Sequence, residues 1–368
     1  RTVRVLSAIS EMTTDNVPNQ NAIAKAGGIS YLITWLSGGL DSHSFSAEAQ
    51  KEAARAVLAM AGNNPQTQVL IVKHNGIPPL IELIAKSKNE TQEYAARALW
   101  HCAGNNESKV MIAESGGIPP LVSMLSVEDT HAQEISTVVL ARLANSNETV
   151  SVAIAECGGI APLVRLLKLG TPVAQLQAAA ALVEVGAVPE NRDKVAKVGG
   201  IGPLVMCMSS TVAGLPEVAA RALSRLARDY EESGADGGGE PEEVPAEVIE
   251  QPGTRRRAEI AALGGVSKLI EMLEPRSVPG MAKKIWSMVA LVMGIGGGDP
   301  NGSQSIDAGS AFSEAATSEH SSIGVQEQAA ATLCDISYGD RAMQDEMIRE
   351  GAILHLLNIM RNGTQLGQ

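Results

Sequence analysis

A ten-residue phrase returns along this chain about every 42 residues. It reads Ala53-Ala54-Arg55-Ala56-Val57-Leu58-Ala59-Met60-Ala61-Gly62, then Ala95-Ala96-Arg97-Ala98-Leu99-Trp100-His101-Cys102-Ala103-Gly104, and it restarts at Ser136, Ala178, Ala219 and Ala329. An anchor of paired glycines followed by an apolar run accompanies it, at Gly27-Gly28, Gly116-Gly117, Gly158-Gly159, Gly199-Gly200 and Gly264-Gly265. Self-similarity at this period marks stacked units, each too small to bury its own apolar face and completed by its neighbours. The repeat constrains the fold more than length does. The 368 residues would suggest two or three globular domains, but a repeat array grows by addition, so residues 1–368 read as one solenoid.

The stretch around Gly117 shows what one unit contains. Asn105-Asn106-Glu107-Ser108 offers side chains that cap a helix start. Lys109–Glu114 reads as a short helix ended by Gly116-Gly117, since glycine accepts the left-handed backbone of a helix C-terminus. Ile118-Pro119-Pro120 opens a second helix, where proline removes only an N–H that has no partner. The third helix, 131–144, carries the phrase. Three helices per roughly 42 residues, anchored at Gly28, Gly76, Gly117, Gly159, Gly200, Gly265 and Gly351, predict an all-α solenoid of about eight units with the first truncated.

Two intervals are too long. Gly200 to Gly265 contains the excess segment 231–253, with eight acidic residues, no basic residue and Gly237-Gly238-Gly239. That composition buries little apolar surface and predicts a disordered acidic insertion. Arg255-Arg256-Arg257 follows, so the insertion reads either as solvated or as an acidic flap on a basic surface. Gly265 to Gly351 leaves room for a degenerate unit, with Ser287–Leu291 as its third helix and 295–322 as degenerate repeat or loop.

Aromatic residues make up only 2% of a chain that is 45% hydrophobic, so Ala, Leu, Val, Ile and Met must fill the core. A net charge of −12 argues against a general nucleic-acid binder, which needs surplus Lys and Arg. Cys102, Cys157, Cys207 and Cys334 are scattered, form no CxxC and read as reduced thiols of a cytoplasmic protein. No apolar run reaches the roughly 18 residues of a membrane span. The chain opens inside a helix phrase at Arg1-Thr2-Val3-Arg4, so its natural N-terminus is expected upstream. The six histidines form no HExxH, Gly294–Asp299 is not followed by Gly-Lys-Ser/Thr, and no GxSxG is present. No catalytic residue, cofactor or metal is expected.

The Gly-Gly-Ile-Pro-Pro-Leu-Ile/Val junction and the Ala-Ala-x-Ala-Leu third helix recur in register, and over nearly the whole chain they resemble the armadillo repeat family. The resemblance implies a right-handed solenoid whose third helices hold an extended peptide on a concave face. The third and seventh phrase positions lie four apart and share one helix face. In importin-alpha they carry a Trp and Asn ladder for basic nuclear-localisation peptides. Here the third is Arg, Val or Ala and the seventh is never Asn, which argues against a nuclear-import adaptor. The face instead carries Arg4, Arg55, Arg97, His101, Arg142, Arg221 and Arg225. Arg offers a planar fork to carboxylates and phosphates, and the pattern resembles the basic groove of β-catenin, which takes acidic extended partners. Alternatively these arginines pair only with Glu52, Glu93 or Glu217. Trp100 reads as packing.

The expected function is a non-enzymatic scaffold in the cytoplasm that binds extended, acidic segments of partner proteins. The alternative is a structural armadillo subunit built into a large assembly such as an axoneme.

Overall fold

The computed structural model describes residues 2–38, 46–228, 252–272, 321–337 and 340–352. Among the described residues every regular element is a helix. The chain divides into two compact units, 1–191 and 192–368.

In the first unit α1 (Thr2–Thr13) stands in the place of a third helix. Four full triplets follow: α2 (Val17–Lys25), α3 (Gly28–Leu36) and α4 (Ala47–Ala61); α5 (Pro65–Lys73), α6 (Ile77–Lys86) and α7 (Asn89–Cys102); α8 (Asn106–Glu114), α9 (Ile118–Met124) and α10 (Thr130–Ala144); α11 (Glu148–Glu156), α12 (Ile160–Leu169) and α13 (Pro172–Ala187). The first helix of each triplet starts on an asparagine. Asn16, Asn64, Asn105 and Asn147 each accept a hydrogen bond from a backbone N–H two or three residues on, satisfying a donor that the helix itself cannot.

The two anchor glycines have different tasks. The first adopts the left-handed backbone, with φ of 79° at Gly27, 78° at Gly116 and 75° at Gly158; Asn75, at 61°, takes the same position in the one unit that lacks a glycine there. The second has ordinary φ but no room for a side chain. A Cβ on Gly117 would lie 2.8 Å from both Ile112 Cγ2 and the Ile112 carbonyl oxygen, and 3.2 Å from Ile81 Cδ1 of the preceding triplet. Gly76 and Gly159 repeat this approach to Ile71 and Ile154.

Third helices pack on one another in sequence, α1 on α4, α4 on α7, α7 on α10 and α10 on α13. The fifth phrase position supplies fully buried Leu99, Leu140 and Leu182. A polar rung joins second to third helix in every triplet: Gln50, Gln92, Gln133 and Gln175 donate to the carbonyls of Leu36, Ile84, Val127 and Leu167 at 2.9, 2.7, 2.6 and 3.3 Å. The carbonyls of Leu36, Ile84 and Leu167 lie in the last turn of their second helices, where a helix leaves acceptors unpaired, and that of Val127 lies in the link after α9.

The units divide within α14 (Pro189–Lys197). The second contains α15 (Ile201–Cys207), α16 (Leu215–Ala227), α17 (Pro252–Ala262), α18 (Gly265–Met272), α19 (Ser321–Ser337) and α20 (Arg341–Arg349). Here α19 packs directly on α16 and α18. Thr332 Oγ1 donates to the Ala220 carbonyl at 3.0 Å, Ser224 donates to the Asp335 carboxylate, and Arg228 pairs with Asp335 at 3.4 Å. These partners lie 107 to 112 residues apart in sequence, yet α19 stands to α16 as α10 stands to α7. The phrase at Ala329 therefore follows the one at Ala219 directly. The expected degenerate unit puts the third helix Ser287–Leu291 between them, in the place that α19 occupies. Residues 287–291, like 295–320 of the expected degenerate stretch, lie outside the described residues.

The acidic insertion ends earlier than the sequence suggests, because Pro252 and Gly253 already belong to α17. Residues 229–251 lie outside the described residues. Nor is Arg255-Arg256-Arg257 the basic surface of the flap reading, since only Arg255 is exposed. Arg256 Nε donates to the Leu226 carbonyl, its NH2 donates to the Arg228 carbonyl at 2.8 Å, and its NH1 meets Asp193. Arg257 NH1 donates to the Ala227 carbonyl at 3.0 Å. Two buried guanidinium groups thus close the C-terminal end of α16.

Candidate binding face

Arg55 on α4 and Arg97 on α7 occupy the same phrase position on adjacent packed helices. Arg55 Nε donates to Ser10 Oγ at 3.0 Å, and its terminal nitrogens lie 3.5 Å from Glu11 and 3.6 Å from Glu52. Arg97 pairs with Glu93 at 3.1 Å and keeps 53% of its side chain exposed. The pairing alternative raised by the sequence is therefore present in the fold. It coexists with solvent access, because both guanidinium groups remain at the surface.

Arg142 lies one turn further along its helix, on α10, and differs from both. Its guanidinium carbon sits 4.2 Å from the centroid of the Trp100 ring, and its Nε donates to the Ala103 carbonyl at 3.2 Å. That carbonyl is at the C-terminal end of α7, where the helix leaves acceptors unpaired. The contact explains Trp100: its face holds a cation from the next repeat, and the His101 ring stands at 87° to it with the ring centroids 4.9 Å apart. Burial, then the charges of Arg142 and Arg97, hold His101 below the ordinary imidazole range.

Lys109, on α8, joins this group. It is buried and donates to the Asn145 carbonyl at 2.6 Å. Burial and nearby Arg142 push its ammonium below the ordinary value, and Glu184 opposes them. Glu184 itself accepts from the Ser146 N–H at 3.1 Å. The fold thus brings Arg97, His101 and Arg142 together, with Trp100 and Lys109 added. Lys109 had a signal in the sequence. It stands eight residues before Gly117, in register with Gln20, Gln68, Arg192 and Arg257. Each of these donates to a carbonyl at the end of a third helix.

Arg221 and Arg225 lie on α16 in the second unit, both half-buried. Arg221 is close enough to Glu217 to oppose the burial that raises that carboxyl above its usual range. On the N-terminal side of the same face in the first unit, His131 Nε2 approaches Glu93 at 3.3 Å and Thr171 donates to Glu134. Among the described residues no three His, Cys, Asp or Glu side chains converge as metal ligands. No single described helix is long and apolar enough to cross a membrane.

The armadillo/β-catenin-like repeat model matches residues 63–104, 105–145 and 188–228. No curated protein matches the chain. Among solved structures, an engineered protein is 21% identical with a TM-score of 0.61, covering 99% of this chain and 94% of its own. A designed armadillo repeat protein is 24% identical with a TM-score of 0.56, covering 61% and 92%. Another, solved in complex with the peptide (KR)4, is 18% identical with a TM-score of 0.55, covering 68% and 93%. At these identities the structural likeness concerns the fold.

Proposed function

We propose that this chain, which is an armadillo-type repeat protein, is a non-enzymatic scaffold that holds an extended, acidic segment of a partner protein along the third-helix face of its first unit. The observation that carries this reading is the row Arg55, Arg97 and Arg142 on α4, α7 and α10, three helices that pack consecutively. Packed helices lie about 8–10 Å apart and an extended peptide advances about 3.3 Å per residue. About every third residue of the peptide therefore meets a new third helix, whose arginine stands at the third phrase position on α4 and α7 and one turn further along on α10. A designed armadillo repeat protein solved with a bound peptide supports the use of this fold for chain recognition. That peptide is basic, whereas the residues here favour the opposite charge. Glu93 does not block Arg97, whose side chain is 53% exposed, since exposed ion pairs contribute only about 0–1 kcal/mol and exchange for a partner's carboxylate; Glu52 is buried and keeps Arg55 partly neutralised.

The reading is tested by fluorescence anisotropy with two labelled peptides of equal length, one rich in Asp and Glu and one alternating Lys and Arg. The acidic peptide should bind, more weakly as salt rises, and the substitutions Arg55→Glu with Arg97→Glu should weaken it further. Preference for the basic peptide, or acidic binding that ignores the double substitution, would overturn the reading.

A further inference from the structure

The three arginines of the row are not equivalent. Arg55 and Arg97 each have a carboxylate within 3.6 Å. Arg142 has none among the described residues: its contacts are the Trp100 ring and the Ala103 carbonyl. It is nevertheless half-buried, with burial pushing the guanidinium below its ordinary value. A desolvated charge is normally matched by an opposite one, because a ring face and one carbonyl compensate only part of the lost hydration. The surroundings add to the imbalance. His101 and Lys109 both feel the charge of Arg142, and the nearest acidic group affecting Lys109, Glu184, already accepts a backbone hydrogen bond.

The same contacts fix the side chain. The guanidinium lies over the Trp100 ring, and the Nε bond to the Ala103 carbonyl ties it to the end of α7. The two terminal nitrogens, which are the edge that pairs with an oxyanion, meet no acceptor among the described residues. An arginine held this way loses little side-chain entropy on binding.

We infer that Arg142, seated on Trp100 and flanked by His101 and Lys109, is the anchor of the binding face and takes one oxyanion of the bound segment, a carboxylate or a phosphoryl group. This deepens the proposed function and rests on it, but it ranks residues that the sequence treats alike. Arg142 dominates, while Arg55 and Arg97 only guide the chain, because each must first give up a glutamate.

The test uses the full chain and reads the Trp100 indole and His101 ring signals by NMR at constant ionic strength. Inorganic phosphate and acetate are the free probes. Two peptides of identical neutral sequence, carrying a single phosphoserine or a single glutamate, are the attached ones. Both ring signals should move on addition of an anion. Arg142→Gln should weaken the response about ten- to a hundredfold, the scale of a charge-assisted hydrogen-bonded pair, and Arg97→Gln should change it little. Arg142→Lys, which keeps the charge without the fork, guards against misfolding in the glutamine variant and should fall between. Comparing the two peptides tells a phosphoryl from a carboxylate preference, and either supports the anchor. Failure of every anion to move the ring signals, or an equal loss in Arg97→Gln and Arg142→Gln, would overturn it. If the acidic peptide of the preceding section still binds in that case, only the anchor fails. If free anions move the rings but no extended peptide binds, the scaffold reading fails instead.

Discussion

The two units build the same stack from different materials. In the first, third helices are joined at steps of about 42 residues and their ends are closed by short local bonds: the amides of Gln20 and Gln68 at α4, and single cations, Arg142 and Lys109, at α7 and α10. In the second, α16 and α19 are joined across more than a hundred residues of sequence, and the end of α16 is closed by Arg192, Arg256 and Arg257. The difference teaches that the rung, not chain continuity, defines a repeat. Where consecutive helices are close in sequence, amides or a single cationic donor suffice at each end. Where the chain departs and returns, charged forks bond several carbonyls at once and hold the two ends of the excursion together.

Core truncation should give the largest effect and test whether the rungs are equivalent. Leu140→Ala in α10 and Leu223→Ala in α16 each remove a side chain with 0% exposure, and each should cost about 2–5 kcal/mol in denaturant unfolding. Hydrogen exchange should locate the first loss in residues 2–191 and the second in 192–352. A cost below about 1 kcal/mol at Leu223 would mean that the α16–α19 rung is not a true repeat contact.

Next in size is Arg256→Ala, which orphans the Leu226 carbonyl and leaves Asp193 unpaired. About 1–3 kcal/mol should be lost, with exchange protection falling first in residues 215–228. The corresponding amide substitution in the first unit, Gln68→Ala, should cost less, because it removes one neutral bond from a half-buried side chain. Equal costs would remove the distinction between charged and neutral closure.

A smaller effect separates two buried carboxylates by pH. Burial raises Glu217 in α16 above its usual range, so its ionised form destabilises the second unit at neutral pH. Stability of that unit should rise as pH falls through this raised value toward the ordinary carboxylate range. Glu217→Gln should raise the melting temperature at pH 7, and the advantage should vanish in acid. Glu52→Gln in the first unit should do the reverse at pH 7, because it removes the partner 3.6 Å from Arg55.

The smallest change is expected from replacing 231–250 with a short Gly/Ser linker. The bond from Arg256 to the Arg228 carbonyl already brings the ends together, and loop-closure entropy varies by only about 0.6 kcal/mol per doubling of length. A large drop in melting temperature would show that the segment packs on the second unit.

Much of this was legible in the residues. The glycine anchors, the asparagine caps and the leucines of the phrase recur because one backbone geometry and one core recur. The polar closures were harder to see. Gln50, Gln92, Gln133 and Gln175 keep register and identity, but a glutamine three residues before a phrase resembles ordinary surface until its target carbonyl is known. At the position of Gln20 the chemistry changes to Lys109 and Arg257 while the task stays constant, so only register, not residue type, carries the signal. Arg256 and Arg257 misled for a related reason. A run of like charges beside an acidic segment suggests a surface, whereas the fold spends two of the three on interior carbonyls. Trp100 and Arg142 are 42 residues apart, and no local pattern announces that one is the seat of the other.

The second anchor glycine makes each joint of the first unit a hard stop. At Gly76, Gly117 and Gly159 the backbone closes on an isoleucine of its own triplet and on Ile33, Ile81 or Val122 of the one before. Side-chain volume has already been reduced to nothing at this edge, so the joint cannot be compressed further. Strain from a bound chain cannot be relieved by closing this joint, and replacing one of these glycines with alanine would force its two triplets apart.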